Sequence, residues 1–406
     1  MAQSSSGIVA GIGPRTPVIS RFHVEHSDST MLSEILSPAL VPWASGGLAF
    51  LVAVGLTPIV RWGARRGGWV AIPEDEKWHD TPTTILGGIA IFLGGAVALV
   101  VSGGVSAFPA SVWGGAVLLV GAGLIDDLWG LGPVAKLTAQ SGSAALVLSA
   151  GFLLAPGAPI WGAAPLTLVW LLGLPNAVNL LDAMDGVAAS VTALAAGFLG
   201  LVAGLQGLGA LATAAAVLAG ATAGFLVYNV APASIFMGDC GSLLLGYVLA
   251  VLGLGVQETG GTARSVLVPV LILAVPLFDT AFVSITRSLR GQSVTNGGTD
   301  HTMHRLVRLG WSERQVPLLL CGGGLLGGGI GLLGQVGPDP LFYVLALGAV
   351  GIAVGVGVLL VQRTAPESAA PPDPESVEAT RLASAPSHSA NSELESEEQV
   401  PRRPTT

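Results

Sequence analysis

The chain has 406 residues, of which 51% are hydrophobic and only 10% charged, with a mean hydropathy of +0.72. A soluble globular surface carries about 25% charged residues, so a soluble enzyme is excluded and the expected fold class is an all-α polytopic membrane bundle. The formal charge of −8 says little about partners, because much of the acid lies after Arg363.

Residues 1 to about 37 are Ser-rich and mixed in charge, without the basic, apolar, small-residue order of a cleavable signal, and read as a disordered extension. Apolar stretches approaching the roughly 20 residues a bilayer requires then recur about eleven times. They run from 39 to 60, 85 to 103, 111 to 125, 138 to 154, 158 to 174, 188 to 205, 207 to 227, 241 to 256, 265 to 286, 316 to 334 and 341 to 362. Many are dense in Gly and Ala, which lets helix backbones approach closely where lipid supplies no hydrophobic drive. A single transmembrane domain over 38–363 follows, with a Pro-, Ser- and Glu-rich tail over 364–406 that cannot bury enough apolar area to fold.

Lys and Arg in short loops set the orientation. With the amino terminus outside and eleven spans, Arg61, Arg65, Arg66, Lys77, Lys136, Arg287, Arg290, Arg305, Arg308, Arg314 and Arg363 fall inside, against Arg264 in a short outside loop. The polar segments 77–88, 126–140, 176–186, 228–242 and 297–315 then share the cytoplasmic side, which makes them candidates for one site in a cell-membrane protein.

In Gly123-Leu-Ile-Asp-Asp-Leu-Trp-Gly130, two adjacent carboxylates end an apolar helix near membrane depth. Ionisable groups there are expensive and read as functional by default; side chains about 100° apart could serve a metal and an incoming phosphate separately. The ordinary alternative is a solvated helix end. Asn179, Asp182 and Asp185 are spaced by three and would share a helical face, suited to a hard cation or to a ribose and base edge; the competing reading is an Asn/Asp-rich cap with a turn at Gly186. Phe236-Met-Gly-Asp-Cys-Gly-Ser242 places Asp239 between glycines before another span, where backbone can approach an anion, although a capped turn has the same composition.

Further along, His301, His304 and Arg305 suit a diphosphate or sugar hydroxyls, whereas Arg308 and Arg314 are explained by topology alone. Cys240 and Cys321 give neither a disulfide framework nor a zinc spacing. An acid- and base-rich site of this kind suggests phosphoryl chemistry with Mg²⁺. There is no Gly-rich phosphate loop ending in Lys-Ser/Thr, and no basic tract with interleaved aromatics for nucleic acid.

These motifs, in this order over roughly residues 39 to 362, resemble the polyprenyl-phosphate N-acetylhexosamine-1-phosphate transferases. The matching residues are Lys77-Trp-His-Asp-Thr-Pro-Thr83 with Gly87-Gly88, Asp126-Asp127 with Lys136, then Asn176, Asn179, Asp182, Asp185 and Gly186, then Asn229 and the segment Phe236 to Ser242. The resemblance implies that Asp182 and Asp239 hold Mg²⁺, with Mn²⁺ as a substitute. It implies that Asp185, Asn229 and Phe236 contact the uridine, that Asp126 and Asp127 position and deprotonate the lipid phosphate, and that Lys77 and Lys136 neutralise phosphate charge. Where relatives often carry His-x-His-His, this chain reads His301-Thr-Met-His304-Arg305. The three-histidine run of the muramoyl-pentapeptide transferases is absent, which favours a simple N-acetylhexosamine.

The expected reaction moves N-acetylglucosamine 1-phosphate from its UDP donor to a polyprenyl phosphate with release of UMP, a first membrane step of envelope glycan synthesis. The expected partners are the UDP-N-acetylhexosamine, the polyprenyl phosphate and the bilayer; homodimers occur among relatives, and no residue argues for one here. Two rivals remain at this point. A transporter or flippase of lipid-linked sugars should carry polar groups near the bilayer midplane, where Asp279 alone sits. A CDP-alcohol phosphatidyltransferase is approached by Asp185-Gly-Val-Ala-Ala189, but Ser190 stands where that signature needs Arg.

Overall fold

The computed structural model describes residues 36–71, 82–257, 262–293, 298 and 300–364. The chain divides into two units, Met1–Leu360 and Val361–Thr406; of the second, only the end of the last helix is described. Lys77 and nearly all of the two extensions expected to be disordered lie outside the described residues.

The described part of the first unit is all-α apart from one short ribbon. Helix α1 (Val41–Gly67) is followed by strands β1 (Val70–Ala71) and β2 (Thr83–Thr84), which pair antiparallel. The chain continues through α2 (Gly87–Ser102), a 3₁₀ turn at Gly104–Ala107, α3 (Ala110–Trp129), α4 (Pro133–Ser149), α5 (Ile160–Leu181), α6 (Val187–Leu205) and α7 (Gly209–Asn229). Then come α8 (Asp239–Gly255), α9 (Ala263–Ile272), α10 (Ala274–Leu289), α11 (Thr302–Arg308), α12 (Gln315–Val336) and α13 (Asp339–Thr364).

The expected apolar stretches are largely helical, but their lengths differ, and 138–154 is helical only to Ser149 in α4, which is not among the helices long and apolar enough to cross a membrane. Helices α1, α3, α5, α6, α7, α12 and α13 are long and apolar enough to cross a membrane, which makes this a multi-pass membrane protein. Helices α2 and α8 are apolar but shorter, at 16 and 17 residues, and both begin at the polar segments. The stretch 265–286, expected as one span, is instead α9 and α10 bent by 83°. Pro276 explains the break: it has no N–H to donate to Ile272, and its ring would clash with that carbonyl in a continuous helix.

Along α1, Trp43 and Trp62 are exposed near opposite ends. At 1.5 Å per residue they stand about 28 Å apart, close to the thickness of a hydrocarbon core. Amphipathic indoles favour those two interfaces, and the Arg66 guanidinium lies 4.0 Å over the Trp62 ring.

Helix α8 is the centre of the bundle. Every residue from Cys240 to Gly255 except Val248 is buried, as expected of a helix apolar all round. It packs on α5, α3, α2 and α6. Two side chains pin it: Trp170 Nε1 donates to the Ala250 carbonyl at 3.0 Å, and the Tyr247 hydroxyl donates to the Val112 carbonyl at 2.7 Å. The position of Asp239, the first residue of α8, is therefore set by the whole core.

Candidate active site

Four helix ends and one loop converge around Asp239. Its Oδ2 accepts from Lys136 Nζ at 2.6 Å, and the same ammonium lies 2.6 Å from Asp126 Oδ2. Asp239 Oδ1 accepts from Asn179 Nδ2 at 2.9 Å, and that amide also donates to Ser242 Oγ. Thus α3, α4, α5 and α8 are fastened through one carboxylate. Burial works against the Lys136 ammonium, but Asp126 and Asp239 outweigh it and hold its pKa above the usual lysine value.

The two adjacent acids have separate positions. Asp126 Oδ1 accepts from the Leu131 amide at 2.6 Å, while its other oxygen faces Lys136. Asp127 accepts from the Asp239 amide at 2.7 Å through Oδ1 and from the Cys240 amide at 3.1 Å through Oδ2. It satisfies two orphan donors at the start of α8, as a capping residue does, although it comes from another helix. The two acids serve different partners, as their adjacency allowed, but both accept from backbone amides.

The sharing of one helical face by Asn179, Asp182 and Asp185 requires correction. Helix α5 ends at Leu181, Asp182 is its C-cap, and the chain turns through Gly186 at φ +73°. A turn, not helical spacing, brings Asp185 near Asp182. Burial and the charges of Asp239, Asp127 and Asp185 push the Asp182 carboxyl well above the ordinary carboxylate range. Among the described residues, no hydrogen bond or ion pair reaches the Asp182 side chain.

Asp185 Oδ2 accepts from the Ala233 amide at 2.7 Å. Buried Asn229 accepts from the Gly186 amide through Oδ1 and donates to the Ile235 carbonyl through Nδ2, so it braces the loop carrying Asp185 and Phe236. The direct uridine contact expected of Asn229 is not what this geometry offers. Phe236 is half-buried, with part of its surface open.

The early Pro-Thr and Gly-Gly segment earns its place in the backbone. The Phe236 amide donates to the Thr84 carbonyl, the Gly87 amide to the Phe236 carbonyl and the Gly88 amide to the Met237 carbonyl, so residues 84–88 run beside 235–237. A Cβ on Gly88 would lie 2.3 Å from the Gly241 nitrogen, and one on Gly123 would lie 2.5 Å from the Cys240 Cα. Both clashes are with backbone, so neither position admits a side chain without moving the Asp239 turn. The family resemblance marked Gly87-Gly88, but nothing in the sequence showed that Gly88 and Gly123 seat α8.

A second cluster lies on α10 and α11. Asp279, buried in α10, has Oδ2 2.8 Å from His301 Nδ1, and its Oδ1 accepts from the Thr302 amide at 2.7 Å. Arg287 pairs with Asp300, and Arg305 Nε donates to the Asp300 carbonyl at 2.9 Å. The Arg287 guanidinium holds the Asp300 carboxyl below the usual range. Burial, followed by the positive charges at His301 and Arg308, pushes His304 down to about 4. Sequence reasoning gave Asp279 and Arg287 no role in the site; an acid inside an apolar stretch was the available signal. None of the bonds just described joins this cluster to the one around Asp239.

A model described as glycosyl transferase family 4 matches residues 109–257, which takes in the whole Asp239 cluster. The probable undecaprenyl-phosphate N-acetylglucosaminyl 1-phosphate transferase of Bacillus subtilis is 35% identical over 284 residues, 67% of this chain and 79% of that protein. The chain belongs to the polyprenyl-phosphate N-acetylhexosamine-1-phosphate transferase family. Within this transferase family, the decaprenyl-phosphate N-acetylglucosaminephosphotransferase of Mycolicibacterium smegmatis is 30% identical over 80% of this chain and 90% of its own length. A phospho-N-acetylmuramoyl-pentapeptide-transferase of Lacticaseibacillus paracasei is also 30% identical, over 73% and 98% respectively.

Fit to a divalent cation can be judged from the transferase's own donor set. Among the described residues, no group of three or more His, Cys, Asp or Glu side chains is arranged to hold a metal ion. Asp126 and Asp239 nevertheless share the Lys136 ammonium, and each of Asp239, Asp127 and Asp185 acts on Asp182 as a like charge. Mg²⁺ commonly takes one or two protein carboxylates and completes its octahedron with water and substrate phosphate. The residues fit an ion of that kind.

Proposed function

We propose that this protein transfers N-acetylglucosamine 1-phosphate from UDP-N-acetylglucosamine to a polyprenyl phosphate, with release of UMP, at the cytoplasmic face of the plasma membrane. The observation that carries the reading is the convergence of the family's separated motifs on Asp239, at the end of the helices where Lys136, Asp126, Asn179 and Asp182 meet. The positive loops favour the cytoplasmic face.

In this reaction an oxygen of the lipid phosphate attacks the sugar-bearing phosphorus. The bond from that phosphorus to the bridging oxygen breaks, and UMP leaves with the electron pair. Asp182 and Asp239 would hold Mg²⁺, which when bound neutralises the diphosphate and the charge growing on UMP. Lys136 supplies the fixed positive charge beside the attacking phosphate. Asp126, which shares that lysine, takes any proton the lipid phosphate still carries. Phe236 stacks on the uracil and Asp185 contacts the nucleoside, both held in place from behind by Asn229. Asp127 acts on Asp239 through the backbone of α8. Holding two anionic reactants in line supplies much of the remaining acceleration.

The test is UMP release by the purified protein in detergent with undecaprenyl phosphate, Mg²⁺ and a panel of UDP-sugars. Release that needs both lipid and metal, and is fastest with UDP-N-acetylglucosamine, supports the reading. Faster release with a UDP-muramoyl-pentapeptide would refute the choice of sugar, and no release with any donor would refute the reaction.

A further inference from the structure

Asp279 lies outside the motifs that carry the family resemblance and outside the residues matched by the family model, yet it is the most deeply placed acid of the second cluster. It is 1% exposed, in an otherwise apolar stretch of α10. A carboxylate in such a place is costly unless its oxygens are satisfied. Both are: one faces His301 Nδ1 at 2.8 Å and the other takes the Thr302 amide at 2.7 Å. His301 is the N-cap residue of α11 and Thr302 its first residue. One carboxylate thus fixes both the imidazole and the start of the helix that bears it.

An ionised carboxylate only accepts hydrogen bonds, so the proton of this pair belongs on His301 Nδ1. With Nδ1 committed, Nε2 is the ring nitrogen left to meet a substrate. The surrounding charges are arranged around that pair. From α10 come Asp279 and Arg287, and from its C-cap Arg290; from the connecting segment comes Asp300, paired with Arg287. From α11 come His304, 6.0 Å away between ring centroids, with Arg305 and Arg308. Helix α12, which packs on α11, carries no charged side chain. The Arg305 guanidinium is held 4.9 Å over the Phe282 ring.

We propose that Asp279 is a positioning residue for the transfer reaction: it locks His301 with Nδ1 inward, so that Nε2 is the ring nitrogen presented for hydrogen bonding to the sugar donor. This rests on the transferase reading above. No covalent bond changes at His301.

The test compares wild type, Asp279→Asn, Asp279→Glu, His301→Gln and the Asp279→Asn/His301→Gln double variant. UMP release is measured from pH 6 to 9. Asp279→Asn is expected to lower kcat by about 100-fold, with KM for the UDP-sugar changed by less than about threefold if the donor's other contacts are intact. Asp279→Glu, which keeps a carboxylate facing the ring, should recover part of the lost kcat. In the His301→Gln background, Asp279→Asn should add less than about twofold.

Multiplying effects in the double variant would overturn the proposal. Nitrogen-15 imidazole shifts of His301 give a readout independent of turnover. A proton on Nδ1 in wild type that is lost in Asp279→Asn supports the lock; an unchanged tautomer contradicts it. If wild type releases no UMP with any donor, the transferase reading fails while the imidazole shifts still decide the pairing.

Discussion

The two polar clusters of this protein are built on opposite charge plans. Around Lys136, Asp126 and Asp239 share one ammonium, and Asp182 is left with like charges for neighbours. On α10 and α11 each acid has a cationic or imidazole partner, Asp300 with Arg287 and Asp279 with His301, and Arg305 and Arg308 lie alongside. Among the described residues the first cluster holds more carboxylates than ammonium groups, whereas the second carries more cations than acids and offers donors to an anion. In the proposed reaction a UDP-sugar would use both, a metal at its diphosphate and donors at its phosphates and hydroxyls.

The contrast is most easily broken at Asp239. Asp239→Asn removes a carboxylate from the deficient cluster and loosens both Lys136 and Asn179; UMP release should fall by about a thousandfold or more. Retention of a tenth of the activity in a lipid- and Mg²⁺-dependent assay would show that this carboxylate is not central. Lys136→Met should cost roughly 100-fold, because it leaves Asp126 and Asp239 facing each other without their shared cation. Lys136→Arg should restore part of that loss, and failure of the arginine to improve on methionine would argue that the shape of the side chain matters more than its charge.

The second cluster predicts a pH effect on stability. His304 is lowered from 6.5 to about 4, so the folded state favours its neutral form. Its contribution is fully present above the unfolded value and is lost as pH falls from about 6.5 towards 4, a swing of roughly 3 kcal/mol. Thermal melts in detergent should decline over that window in wild type and decline less in His304→Gln. Parallel curves would remove His304 from the account.

The smallest effect separates the neighbouring acids of α3. Asp127→Asn should lower stability by about 1–2 kcal/mol, the usual size of a lost helix cap, with UMP release falling as Asp239 moves. Asp126→Asn should leave the melt within about 0.5 kcal/mol of wild type and act on kcat. The reverse assignment in paired melt and activity measurements would exchange the two roles.

Much of this architecture could be read from the residues. Apolar length placed the helices, and Asp126-Asp127, the Asn/Asp run and the Gly-Asp-Cys-Gly turn were each recognisable as costly polar groups at helix ends. Three things could not be read, for physical reasons. The bend between α9 and α10 depends on a missing donor at Pro276 inside a stretch that stays uniformly apolar. The end of α5 at Leu181, with Asp182 as its cap, is invisible to three-residue spacing. The work of Asp127, Asn229, Gly88 and Gly123 is done against the backbone of distant segments, which composition does not record. Asp279 was visible as an anomaly, but its partner lies 22 residues away on another element.

The most direct test of the central claim follows the phosphorus atom. With UDP-N-acetylglucosamine carrying ³²P in the sugar-bearing phosphate, polyprenyl phosphate and Mg²⁺, the account predicts equal amounts of ³²P and N-acetylglucosamine in the lipid product, with unlabelled UMP released. Sugar in the lipid without ³²P, accompanied by labelled UDP, would make this an ordinary glycosyl transfer and contradict the assignment of the Asp239 cluster.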